Sequence, residues 1–493
     1  MKSKTVLNAW LGLLALAATA VQAQLPEPIA RALTQAGIPE SATAFYVQEA
    51  GAERPLLSVG AERPLNPAST MKLVTTYASL ELLGPAYVWV TDAYAGGPVR
   101  DGVLAGDLVL RGRGDPKLTI ENFWLLLRGL RGRGVREIRG DLVLDRSYFP
   151  GGEDYDPGRF DEQPNRPYNT GPDALLVNFK AVRLQFIPDL EARTVNVIAE
   201  PVVPAIQVVN NLTLDPKGPC GDWLGKLKLD AQGNSQSARF VLGGVFPASC
   251  GERVRNFSVL SHPQYVSALF RELWRELGGT FNGTVRDGTA APDAKLLATV
   301  QSPTLSEVVR DINKFSNNVM ARQLFLTLGA VGAGAPGSTE KTGRVIRQWL
   351  AGKGLSFPEL VLENGSGLSR VERISAKSLG ELLLAAYRSP VMPELMASMP
   401  LVAVDGTMKK RLSGAEVAGQ AHIKTGTLAG VRAIAGYVLD GQGRRVVVVF
   451  IVNHANAGNA QPVQDALLKW IHGRASAVTA GAARPRAATP VAE

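Results

Sequence analysis

Three short blocks stand in one order along the chain: Ser69-Thr70-Met71-Lys72, Ser316-Asn317-Asn318 and Lys424-Thr425-Gly426. Three positions along a helix is close to one turn, so Ser69 and Lys72 share a face. A serine hydroxyl attacks a carbonyl only after a base takes its proton, and a lysine serves as that base when burial and neighbouring cations lower its pKa. A serine at a helix start also aims backbone N–H groups at the reacting oxygen. In the second block, Ser316 can bridge Lys72 to a leaving nitrogen. Asn318 can donate to a substrate amide carbonyl and accept from Lys72. In the third, Lys424 and Thr425 offer a cation and a hydroxyl to a carboxylate, Gly426 leaves room for a substrate backbone, and the Thr427 N–H can face an oxyanion. Together they form a kit for acyl transfer without a Ser-His-Asp triad.

The elements that must hold these residues are legible in outline. Thr43–Gln48 and Leu56–Val59 read as strands across a turn, and Leu73, Tyr77, Leu80 and Leu83 recur at helical spacing after Ser69. From Tyr87 to about Phe149 the text turns to short strands and Gly-rich turns, with one helix near Asn122–Arg131. Residues 150–172 read as a long loop, and a β-rich stretch over 174–257 follows. Helices are expected over 263–277, 306–328 (interrupted at Ser316), 340–353, 375–388 and 461–472, with strands over 423–427, 431–439 and 445–453. Two decoys, Ser338-Thr339-Glu340-Lys341 and Lys341-Thr342-Gly343, fit the motifs but read as an ordinary helix start. His422 shares a strand face with Lys424, where a packing role is expected.

Residues 1–23 have a basic start, an apolar run from Ala9 to Ala20 and small residues before Gln24. They read as an export signal cleaved after Ala23, so the mature chain is expected in the periplasm without an integral membrane anchor; an uncleaved anchor is the alternative. Removing Lys2 and Lys4 lowers the formal charge from +9 by two, to +7. That excess lacks the basic blocks with interleaved aromatics of a nucleic-acid binder. The two cysteines, Cys220 and Cys250, are expected to form a disulfide in an oxidising compartment; two free buried thiols are the alternative. They make no metal set with His262, and the chemistry needs neither metal nor organic cofactor. The Ala/Pro/Thr-rich end, 476–493, reads as a disordered tail.

The order and context of the three blocks resemble the S13 peptidases. These are the class C low-molecular-mass penicillin-binding proteins, D-alanyl-D-alanine carboxypeptidase/endopeptidases of the penicillin-binding protein 4 type. Asn364-Gly365-Ser366-Gly367-Leu368-Ser369-Arg370 is similar to the family's DGSGLSR, with Asn364 where Asp is usual, and Asp405-Gly406-Thr407 to its DGT block. Tyr168 matches a family cleft loop loosely. The resemblance implies an α/β (α+β) fold: a serine β-lactamase/transpeptidase-like domain, with an antiparallel sheet flanked by helices and a helical lobe, carrying two β-rich inserted modules. Expected boundaries are 24–85 and 265–475 for the discontinuous transpeptidase-like domain, 86–160 for a nested α/β module and 161–264 for a β-rich module holding both cysteines. It implies that Ser69 is acylated by peptidoglycan stem peptides with Lys72 as base, the Ser69 and Thr427 N–H groups on the oxyanion, and Ser316 as proton relay. Asn318 would hold the peptide. Lys424, Thr425 and Thr427 would bind the terminal carboxylate, and Arg370 would face substrate. β-lactams would trap Ser69. A β-lactamase-like hydrolase and a catalytically idle peptidoglycan-binding protein are the competing readings; a Gly-x-Ser-x-Gly esterase is not supported. Oligomeric state is not legible.

Overall fold

The computed structural model describes residues 24–150, 155–233 and 237–479. The expected export signal over 1–23 and the last residues of the expected tail, 480–493, lie outside them.

The strand run Arg445–Asn453 explains the main sheet. Val446 to Val452 are all buried, so the run is apolar at every position rather than alternating, as a strand covered on both faces must be. It lies at the centre of an antiparallel five-stranded sheet in the order Ala421–Leu428, Val431–Leu439, Arg445–Asn453, Thr43–Glu49, Leu57–Val59. Phe45, Val47, Ile434, Val448 and Phe450 face a core shared with Ile29, Leu33, Leu467 and Ile471, from helices Glu27–Ala36 and Gln461–Thr479. Ala44, Tyr46, Ala435, Tyr437, Val447 and Val449 face the other way, onto helix Ala376–Tyr387 and the helical lobe. That lobe comprises Leu305–Phe315, Asn318–Ala333, Thr339–Gly352 and Met392–Ser398 around helix Lys72–Leu82. Lys72 to Leu80 are buried all round, which makes this the central helix. The closing helix runs to Thr479, past the expected start of the tail at 476.

The chain between helices Lys72–Leu82 and Leu305–Phe315 forms a separate core. A five-stranded sheet orders Val285–Asp287, Leu142–Asp145, Leu108–Arg111, Val90–Ala95 and Lys295–Gln301, with helix Ile120–Gly132 against it. Two three-stranded sheets, built over 182–257, share its apolar interior through Phe186, Phe240 and Phe246. Cys220 and Cys250 are disulfide-bonded there, with Cα atoms 4.7 Å apart.

The pairings bear on one expected boundary. The sequence reading returns to the transpeptidase-like domain at residue 265. Yet Lys295–Gln301 pairs antiparallel with Val90–Ala95, Val285–Asp287 pairs parallel with Leu142–Leu144, and helix His262–Glu276 buries Phe270 and Trp274 in the inserted core. The two strands were hidden because they are short or half-exposed, and their residues show no clean alternation between two helices.

Candidate active site

The turn that carries Ser69 is strained. Ser69 sits in a 3₁₀ turn, Ala68–Met71, that runs directly into helix Lys72–Leu82. Ala68, fully buried, has φ 46°, a left-handed value that costs a non-glycine residue about 1–2 kcal/mol. Asn66 holds the turn: its Oδ1 accepts from the Ala68 N–H at 2.9 Å and its Nδ2 donates to Ser369 O at 2.8 Å.

Lys72 is fully buried, and its amine reaches three acceptors: Ser69 Oγ at 3.1 Å, Asn318 Oδ1 at 2.7 Å and the Ser366 carbonyl. Burial, and then the positive charges of Lys424 and Arg322, hold its pKa well below the ordinary lysine value. A neutral amine donates two hydrogens and keeps one lone pair. With Asn318 and Ser366 taking the hydrogens, the lone pair is left for the Ser69 proton.

Ser316 and Asn318 come together because two helices break between them. Ser316 ends helix Leu305–Phe315 in a left-handed conformation (φ 56°), and the Asn317 side chain caps the next helix by accepting from Met320 N at 3.1 Å. The partner of Ser316 differs from expectation. Its hydroxyl is bonded not by Lys72 but by Lys424 Nζ, at 2.9 Å; Lys424 also donates to Thr425 O at 2.7 Å. Lys424 is fully buried, and burial brings its amine down to about 7. Ser316 is thus paired with Lys424, and Ser69 with Lys72.

The strand Ala421–Leu428 is the sheet edge nearest the turn. Its outer side is covered first by residues 400–402, with Ile423 N donating to Pro400 O and Val402 N to Ala421 O. Backbone groups alternate along a strand, so the polar groups of Thr425 and Thr427 point to the same outer side beyond that cover. Thr427 is exposed. Gly426 stands close to the Ser69 turn. A Cβ there would lie 2.7 Å from Pro67 O and 3.1 Å from Ser69 N, so the missing side chain makes room for that turn as well. Thr407 Oγ1 lies 2.8 Å from Thr425 Oγ1, and Asp405 pairs with Lys314 at 2.6 Å, which fastens the DGT block to the helix before Ser316.

Arg370 is exposed, donates to Ala429 O at 3.2 Å and stacks over Phe160 at 4.5 Å. Asn364 needs no charge: its Oδ1 accepts from Ser366 N (2.9 Å) and Ser366 Oγ (2.6 Å), while its Nδ2 donates to Leu368 O (3.0 Å), a bond an Asp could not make. Tyr168 turns its hydroxyl to Asp161 (2.7 Å), and its carbonyl accepts from the buried Arg322. His422 is half-buried, with its pKa lowered chiefly by that burial. The decoy Ser338 caps helix Thr339–Gly352, accepting from Lys341 N at 3.3 Å. Ser366, within the Asn364–Arg370 block, enters the site through its carbonyl, and two residues without a motif signal complete it: Arg322 through its charge, and Glu372, whose carboxylate collects N–H groups of the loop before it. Among the described residues no cluster of His, Cys, Asp and Glu is placed to hold a metal. None of their helices is long and apolar enough to cross a membrane.

The profile of a family described as D-Ala-D-Ala carboxypeptidase 3 (S13) matches residues 25–473, nearly the whole described chain. The chain belongs to the S13 family. This S13 chain is 30% identical over 461 residues to the D-alanyl-D-alanine carboxypeptidase of Actinomadura sp. (strain R39), covering 90% of this chain and 84% of that one. It is 27% identical over 400 residues to the D-alanyl-D-alanine carboxypeptidase DacB of Haemophilus influenzae, covering 80% and 81%. The crystal structure of penicillin binding protein 4 from Haemophilus influenzae superposes with a TM-score of 0.74 at 23% identity over 91% of this chain and 99% of that one, which shows the shared fold.

Proposed function

We propose that this S13 chain is a serine D-Ala-D-Ala carboxypeptidase and/or DD-endopeptidase of the periplasm, acting on peptidoglycan stem peptides through an acyl-enzyme at Ser69. The observation that carries the reading is the Lys72 amine, buried and 3.1 Å from Ser69 Oγ with its other positions occupied. Lys72 takes the Ser69 proton as Oγ adds to the carbonyl that follows a D-alanine. The Ser69 and Thr427 N–H groups hold the oxyanion. The tetrahedral adduct collapses as Ser316, bonded to Lys424, passes a proton to the departing amine. The terminal carboxylate sits against Lys424, Thr425 and Thr427, with Asn318 on the peptide and Arg370 at the side of the cleft. Water then adds to the ester and releases the acid, regenerating Ser69.

Further support comes from the relatives' names as carboxypeptidases and from the Haemophilus penicillin binding protein 4 described in complex with a β-lactam. A β-lactam presents the same carbonyl and carboxylate and is expected to acylate Ser69 here. The Cys220–Cys250 disulfide supports an oxidising compartment. The strand pairings support a catalytic unit built from the chain before about residue 86 and after about residue 302, with the inserted modules between.

Incubation with disaccharide-pentapeptide and, separately, with cross-linked muropeptides, followed by mass spectrometry of the products, tests the reading. Loss of one D-Ala from the first, or scission of the second, is expected and tells the two activities apart. Intact substrates alongside fast penicillin hydrolysis would replace the reading with a β-lactamase.

A further inference from the structure

Glu372 is a fully buried carboxylate two positions beyond the Asn364–Arg370 block. Its Oε1 accepts the backbone N–H groups of Glu363 (3.1 Å), Asn364 (3.0 Å) and Gly365 (2.8 Å), and its Oε2 accepts that of Gly367 (3.0 Å). Burial holds the carboxyl's pKa above its ordinary value, while these bonds pull it back down. All four bonds are ones the carboxyl accepts, and an added proton would find no acceptor among them, so the arrangement fits the anion.

Ser366 and Gly367 share one peptide group. Its carbonyl accepts from Lys72 Nζ, and its N–H donates to Glu372 Oε2. Amine, peptide and carboxylate thus form one hydrogen-bonded chain, in which each bond polarises the next. The loop has little freedom to rearrange. Thr75 Oγ1 donates to Gly365 O at 2.7 Å, and the absent Cβ of Gly367 (φ +77°) would lie 1.9 Å from Ala68 O and 2.7 Å from Ser69 N.

We propose that Glu372 is a positioning residue for Lys72. It fixes the peptide that holds the amine and sets a buried negative charge one peptide away from it. The inference rests on Lys72 being the base for Ser69. The charges that bear on Lys72 are Lys424 from the edge strand, Arg322 from helix Asn318–Ala333 and Glu372 from this loop. Glu363 is the charged neighbour of Glu372 itself. Glu372 is the one anion of the three that bear on Lys72, and it opposes two cations. Without it the ammonium form loses its counter-charge, and Lys72 becomes a free base at lower pH.

The test is the pH profile of acylation by a fluorescent penicillin in Glu372→Gln, whose remaining oxygen can still accept three N–H groups. The acid limb should move to lower pH by about half a unit or more, with a lower plateau. An acid limb that stays put while the rate falls uniformly would make Glu372 merely structural and overturn the proposal. Lys72→Met, run alongside, keeps the two readings apart: if it acylates like the wild type, Lys72 is not the base and the underlying reading fails by itself. Should Glu372→Gln not fold, the wild type carries the test. With carbonyl-13C serine and 15N glycine, only the Ser366–Gly367 and Ser413–Gly414 peptides give a correlation. The 366–367 signal should titrate with the acylation limb, and a signal flat across that range overturns the proposal.

Discussion

At Lys424, full burial brings the amine down to about 7, against about 10.4 for an exposed lysine. The unfolded chain keeps a proton that the folded chain sheds, so over the window from about pH 7 to about pH 10 the unfolded state binds more protons. Stability therefore rises with pH across that window and is lost on acidification toward 7. Lys424→Met should remove this part of the slope and leave the protein more stable at pH 7, on the order of 1–2 kcal/mol, while acylation falls roughly 100-fold. Urea midpoints at pH 7 and 9, paired with acylation rates, check both; an unchanged slope would mean that Lys424 is not the group responsible. At this scale the sequence was most legible where a motif carries the side chain. Ser69, Lys72, Ser316, Asn318 and Lys424 are brought together, and the three hydrogen bonds among them lie between 2.7 and 3.1 Å. What it hid was the pairing of amines with hydroxyls, because Lys72 and Lys424 are equal candidates for Ser316 until the strand is placed. Arg322, Glu372 and the part played by the Ser366 carbonyl were hidden too, since a charge, a set of backbone N–H groups and a main-chain oxygen leave no side-chain signature.

The elements meet at two glycines, and each makes a prediction. Gly426→Ala would set a Cβ against Pro67 O and Ala68 Cβ, so the edge strand must move off the Ser69 turn. Acylation should fall by about 100-fold, because a displacement near 1 Å between reacting groups has that effect. The melting temperature should fall in step with a loss of about 1–3 kcal/mol. Gly367→Ala adds a left-handed backbone to a closer collision and should be the more damaging of the two. If Gly426→Ala instead acylates normally, the strand does not depend on that close approach. The main sheet's strands were readable from continuous apolar runs such as Val446–Val452, and the helices from their spacing. The strands over 280–301 were not, because a half-exposed strand of mixed composition carries no period between two strong helices.

For the whole molecule, polar side chains bridge the two cores. Asp173 is one: its backbone N–H donates to Gln323 Oε1 at 2.9 Å on the catalytic side, and its carboxylate pairs with Arg146 at 2.6 Å on the other. Separate cores predict separable stabilities. Replacing Cys220 and Cys250 by serine, which opens a crosslink between positions 30 apart, should lower the stability of the inserted region by about 3 kcal/mol. The acylation rate at Ser69 should stay within about twofold; a parallel loss of acylation would show that the inserted core braces the site. The central claim is an acyl-enzyme on Ser69, and intact-mass spectrometry after exposure to benzylpenicillin tests it most directly. A single lasting penicilloyl adduct, mapped to the peptide containing Ser69 and absent from Ser69→Ala, is the predicted result. An adduct that persists in Ser69→Ala, or wild-type protein that forms none, would contradict the account.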